Sequence, residues 1–127
     1  MKRCAIAMAL LLAACSSSDS TAARPGRLSL LLSGGATEPG AIVLVLSGAP
    51  VDGVEPAAGN DLATNVDGSG THIMMTGAIH GGVIASFSVP DVGRASAYVV
   101  TVEQVADGES FALLDPASYH VTVGAAP

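Results

Sequence analysis

Residues 27–127 predict an all-β domain: one β-sandwich of about seven to nine short antiparallel strands. Three observations carry this. Apolar and polar residues alternate in several short runs, most clearly over 83–89. Glycine and proline interrupt the chain at about the 8–12-residue interval of sandwich turns. No stretch places apolar residues at helical spacing.

The first strand spans 27–33, where Leu28, Leu30 and Leu32 alternate with Ser29 and Leu31 lies on the second face. A Gly-rich loop follows, ending at Pro39-Gly40. Residues 41–46 form a continuous β-branched and leucine run, the pattern of a strand covered on both faces. Residues 51–57 predict a short, irregular strand that Pro56 confines to an edge. Residues 62–66 are a weak strand. Asp67-Gly68-Ser69-Gly70 is a hairpin turn into a strand over 71–77. His80-Gly81-Gly82 is a second tight turn. Then Val83, Ala85, Phe87 and Val89 are expected on one face and Ile84, Ser86 and Ser88 on the other.

Pro90 to Arg94 reads as a loop. Tyr98, Val100 and Val102 face one way in the next strand, Thr101 and Glu103 the other. A turn over 106–109 and a short strand within 111–114 follow. Asp115-Pro116-Ala117-Ser118 predicts a single helical turn capped by Asp115. Tyr119, Val121 and Val123 close the chain as a last strand.

Asp115-x-Ala117-x-Tyr119 resembles the tyrosine corner of immunoglobulin-like domains, in which the phenol bonds back to the backbone. The runs 40–45 and 119–123 are also similar to cohesin-type bacterial sandwiches. Both likenesses imply a fold and transfer no functional residue.

Lys2 and Arg3 precede residues 4–14, which carry no charge. This is the layout of a secretory signal. Eleven residues span about 16 Å as a helix, roughly half a hydrocarbon core, which argues against a permanent transmembrane helix. Leu12-Ala13-Ala14-Cys15 resembles a bacterial lipobox. The resemblance covers residues 1–20. It implies cleavage between Ala14 and Cys15, lipidation of the Cys15 thiol and acylation of the new amino terminus. The chain then divides into a signal peptide (1–14), a lipidated cysteine with a flexible tether (15–26) and the sandwich (27–127). Ser16 after the cysteine leans the implied address toward the outer membrane of a bacterial envelope. An ordinary secretory signal with a chance cysteine is the competing reading.

After that cleavage three arginines, Arg24, Arg27 and Arg94, stand against eleven acidic residues, a formal charge of −8. No basic patch exists for nucleic acid. Cys4 leaves with the signal and Cys15 takes the lipid, so no disulfide is expected and apolar burial must supply the stability. The aromatics are Phe87, Tyr98, Phe111 and Tyr119, with no Trp, which counts against a carbohydrate-binding module.

The sequence carries no H-E-x-x-H and no G-x-S-x-G. His72 and His120 would share a metal only on neighbouring strands, with solvated histidines as the alternative. Asn65-x-Asp67-x-Ser69-Gly70 echoes the start of a calcium loop, but Thr76 stands where the bidentate Glu belongs. Asp107, Glu109 and Asp115 read as a solvated acidic loop rather than a catalytic pair. No cofactor and no catalysis are expected. The leading expectation is a lipid-anchored interaction or structural module that binds an envelope protein through the edge over 51–66. The alternative is a weak glycan or calcium module on the loops around Asp67 and Asp107.

Overall fold

Leucines at alternate positions can bury one face of a strand only if a second layer covers them. The computed structural model, which describes residues 22–127, supplies that layer. The signal segment, Ala14, Cys15 and the tether through residue 21 lie outside the described residues. The strands are β1 (Gly26–Gly34), β2 (Pro39–Ser47), β3 (Asp52–Pro56), β4 (Asp61–Asp67), β5 (Gly70–Thr76), β6 (Gly82–Val89), β7 (Val99–Asp107), β8 (Leu113–Leu114) and β9 (Tyr119–Ala125). They form two antiparallel sheets, ordered β3-β6-β1-β9 and β4-β5-β2-β7-β8. The expected all-β sandwich is the fold.

Leu28, Leu30 and Leu32 of β1 face Ile42, Leu44 and Leu46 of β2 across the core, all buried. The outer face of β2 is covered differently from the expectation. Val45 is buried by its own sheet, between His72 and Thr101, rather than by a further layer.

Strict alternation fails in β6. Leu30 pairs with Ala85 but Leu31 pairs with Val83, so Ile84 is an extra residue and the strand bulges. The bulge turns Ile84 into the core and leaves Val83 exposed, the reverse of the sequence expectation. A second bulge occurs in β7. Val43 pairs with Gln104 and Leu44 with Val102, leaving Glu103 as the extra residue. Inward facing resumes at Val105, so β7 runs to Asp107, beyond the turn expected at 106.

Three further features differ from the sequence reading. Val92–Ala97 is a 3₁₀ helix rather than a loop, capped by Asp91, whose carboxylate accepts from Gly93 N. Ile79, between β5 and β6, is fully buried as the chain crosses between sheets. Arg24, expected in the tether, is fastened to the domain: its amide donates to Asp91 Oδ1 and its carbonyl accepts from Val92 N at 2.8 Å.

The turn at Pro116–Ser118 is a 3₁₀ helix capped by Asp115, as expected. The tyrosine-corner resemblance holds only in part. Tyr119 Oη donates to the Thr37 carbonyl at 2.7 Å, in the β1–β2 loop and 82 residues away, not to a neighbour just upstream. Its ring lies on Gly35 (φ +76°), where an added Cβ would overlap the ring. The phenol therefore ties the last strand to the first loop.

β1 and β9 both bring their chain ends to one end of the sandwich, since Leu28 pairs with Ala125 and Gly34 with Tyr119. The β1–β2 and β7–β8 loops lie at the opposite end, about 30 Å away along a nine-residue strand.

Candidate functional site

β3 and β4 are the free edges of the two sheets on one side of the sandwich. They contain the edge that the sequence reading singled out, over 51–66, but they are unlike each other. β3 is irregular, with its register broken between Asp52 and Glu55. Arg27 staples it to β6: the guanidinium donates to the Gly53 carbonyl at 3.0 Å, to Ser86 Oγ and Ser88 Oγ at 2.9 Å each, and meets Glu55 at 3.3 Å. Such a multiply bonded guanidinium is hard for lysine to replace, because its donors form a fixed planar fork.

β4 is regular, contrary to the expectation of a poorly paired segment. All seven residues pair with β5, from Asp61↔Thr76 to Asp67↔Gly70. Its other side carries no strand among the described residues. Leu62 to Val66 contain no charge, proline or bulge, the devices that normally blunt an open edge. Val66 is 72% exposed. Leu62 and Val54 are partly buried against the core, so they belong to the fold more than to an interface.

On the outer face beside β4, His72 joins several polar groups. Ser69 Oγ lies 2.9 Å from His72 Nε2, and Asp67 Oδ2 lies 2.9 Å from the same nitrogen. Ser69 Oγ also donates to Asp67 Oδ1 at 2.6 Å. Glu103 Oε2 stands 3.7 Å from His72 Nδ1. Serine, histidine and carboxylate together invite comparison with a hydrolase triad, but the hydrogen bonds run the wrong way. A carboxylate can only accept, which assigns the proton on Nε2 and directs the Ser69 hydroxyl to Asp67. His72 Nε2, holding its own proton, is then not the base that a triad needs beside the Ser69 hydroxyl. The group acts as a clamp on the β4–β5 hairpin.

That clamp makes a titration prediction. Hydrogen bonds from the Ser69 hydroxyl and amide, with a smaller contribution from His72, hold the Asp67 carboxyl below its ordinary 3.8. The Asp91 carboxyl is lowered too, chiefly by the Gly93 and Arg24 amides. Depressed folded values mean that both carboxylates contribute stability above pH 3.8, lost as pH falls through their folded values. We expect Ser69→Ala to raise the Asp67 value toward 3.8 in a carboxyl NMR titration, and to raise it more than His72→Ala does. An Asp67 titration unmoved by Ser69→Ala contradicts the clamp.

The two outward histidines fall apart in space. His72 lies in one sheet and His120 in the other, so they share no metal. Asp107 accepts from Glu109 N and Ser110 N, and Asp115 from Ala117 N, so both carboxylates cap their own turns. Among the described residues no three His, Cys, Asp or Glu side chains converge as a metal site.

The end of the sandwich away from the chain termini holds an open cleft of about 940 Å³. Glu38, Asp107, Glu109 and Phe111 line it. Phe111 is 80% exposed and has φ +58°, which favours glycine. It is held by Phe111 N donating to the Asp107 carbonyl and Asp107 N donating to the Ala112 carbonyl. The sequence counted Phe111 among few aromatics but carried no signal that its loop would turn it outward. No protein-family model, curated protein or solved structure matches the chain.

Proposed function

We propose that this chain is a lipid-anchored, non-catalytic interaction module of the bacterial cell envelope. Its open β4 edge takes an extended segment of an envelope protein, and its immunoglobulin- or cohesin-like sandwich is the rigid frame. The lipobox-like residues 12–15 support the address through lipid on Cys15, with Ser16 favouring the outer membrane. Among the described residues no helix is long and apolar enough to cross a membrane. The observation that carries the binding reading is β4 itself: seven residues in unbroken register with one side open. Such an edge offers main-chain donors and acceptors to a docked strand, while alternate side chains select it.

A photo-crosslinking side chain at Ala63 in the full chain, in cells, is expected to give a discrete protein adduct. Val66→Lys places a charge on the edge and should reduce that adduct at least tenfold with an unchanged melting temperature, because Val66 is exposed. No adduct, or one that survives Val66→Lys, counts against the edge.

A glycan or calcium module is the second reading. Exposed Phe111 at the cleft rim favours its glycan form, since a ring face can stack on a sugar. Oligosaccharide binding lost on Phe111→Ala would move the function to the cleft.

A further inference from the structure

We infer that the segment taken by β4 carries basic residues six positions apart, flanking an uncharged run. This rests on the edge reading above and adds the chemistry of the partner. Asp61, Ala63, Asn65 and Asp67 occupy alternate positions of β4, opposite Thr76, Met74, His72 and Gly70. All four therefore lie on the outer face of the sheet. The two aspartates stand at the ends of the strand, about 20 Å apart; the Asp67 carboxylate already accepts from Ser69 and His72 but keeps its negative charge. The five residues between them carry no charge.

An antiparallel strand docked in register would place one residue opposite Asp67 and the residue six further on opposite Asp61. Both point to the same outer face, where a lysine or arginine meets Asp61 directly across the pair and shares Asp67 with the Ser69 and His72 donors. The residues between them at outer positions meet Asn65 and Ala63, which suit small or polar side chains. The intervening residues point to the opposite face, beside Leu62, Thr64 and Val66. Apolar side chains there would cover Val66 and extend the core.

The same charges disfavour a second copy of this chain docked over the full length of β4. Antiparallel self-pairing about Thr64 sets Asp61 opposite Asp67 twice, and parallel self-pairing sets each aspartate against its own counterpart. Like charges directly opposite are destabilising. Neighbouring groups reinforce the sign. The Arg27 guanidinium on the β3 side is already engaged by Glu55, Gly53, Ser86 and Ser88. β4 itself contains no basic residue. The edge is thus apolar and polar along its length and anionic at both ends.

The test uses the full chain in detergent micelles and three labelled peptides with one central sequence, Val-Ser-Val-Ser-Val. The peptides end in Lys, Ser or Glu on both sides. Fluorescence anisotropy measures affinity, and hydrogen exchange locates the contact. Exposed ion pairs contribute a few-fold each, so the Lys-flanked peptide should bind roughly tenfold tighter than the Ser-flanked one. The Glu-flanked peptide should bind weakest, and protection should fall on the amides of β4. The doubly substituted Asp61→Asn, Asp67→Asn chain should bind the Lys- and Ser-flanked peptides equally. Asn at 67 keeps an oxygen for the Ser69 amide, and the single Asp61→Asn chain checks that any loss does not come from the hairpin turn. Equal affinity of the Lys and Ser peptides for the unsubstituted chain, with β4 still protected, overturns the charge inference and leaves the edge reading standing. Failure of all three peptides to protect β4 overturns both.

Discussion

Replacing Phe87 by Ala is expected to lower the melting temperature by about 15 °C or more. Phe87 is fully buried on β6, paired with Leu28, and meets the Tyr98 ring edge-to-face at 5.4 Å between centroids. Truncating a buried Phe costs about 3–5 kcal/mol, the lost transfer energy plus an incompletely collapsed cavity. Part of that sum is the aromatic pair, about 0.5–1.5 kcal/mol beyond area. A domain of this size is stabilised by about 5–15 kcal/mol in total. For about a hundred residues each kcal/mol moves the midpoint by about 4–8 °C. Little else offsets the loss, since the only cysteines are Cys4 and Cys15, both outside residues 22–127. A thermal melt followed by near-ultraviolet circular dichroism measures it. The same strand supplies the control. Ile84→Ala should cost about 2–5 kcal/mol and Val83→Ala within about 0.5 kcal/mol. A strand that alternated strictly would give the reverse ranking, so the comparison tests the bulge as well as the core. A Phe87→Ala midpoint within a few degrees of the parent would contradict the described core.

That contrast marks how far the sequence is legible. Alternation and turn residues are local, and they place β1, β2, the β4–β5 hairpin and the capped turn at Asp115 well. A bulge is not local. It arises because β6 must match β1 on a register that the β6 residues alone do not encode, so Val83 and Ile84 exchange faces. Ile79 escapes notice for the same reason, since its segment looks like a turn and is buried only because the chain crosses between sheets there. The candidate site divides similarly. The uncharged run between Asp61 and Asp67 can be read directly, as can the Asp67–Ser69 turn. That β4 ends a sheet with its outer side open depends on strand order. So does the separation of His72 from His120, and so does the approach of Glu103 to His72 through the β7 bulge. Strand order is set by long-range pairing and leaves little trace in any window of sequence.

Changing Cys15 to Ser is expected to abolish incorporation of labelled palmitate and to make the protein extractable from membranes by urea. Residues 4–14 carry no charge but reach only about half of the hydrocarbon core as a helix, so by themselves they hold a protein weakly. Acyl chains contribute about 0.8 kcal/mol for each buried CH₂. One myristoyl chain gives a binding constant of only about 10⁴ M⁻¹, and stable attachment needs a second signal. A diacylglyceryl thioether with an acylated amino terminus supplies three chains, at which point exchange with water effectively stops. In the proposed anchor all three would depend on the one sulfur, because the thiol would receive the diacylglycerol and cleavage before it would free the amine. Serine at 15 has no thiolate to carry the first lipid. The competing reading, an ordinary secretory signal, gives a different result: no label in the parent protein and identical extraction of parent and variant. Gly26 and Ala125 lie at the same end of the sandwich, the end where the chain from the proposed lipid site at Cys15 enters the domain. β4 runs along the side of the sandwich and the Phe111 cleft lies at the other end, about 30 Å away. Cys15→Ser should lower capture at Ala63 in cells while leaving the affinity for the Lys-flanked peptide in micelles unchanged.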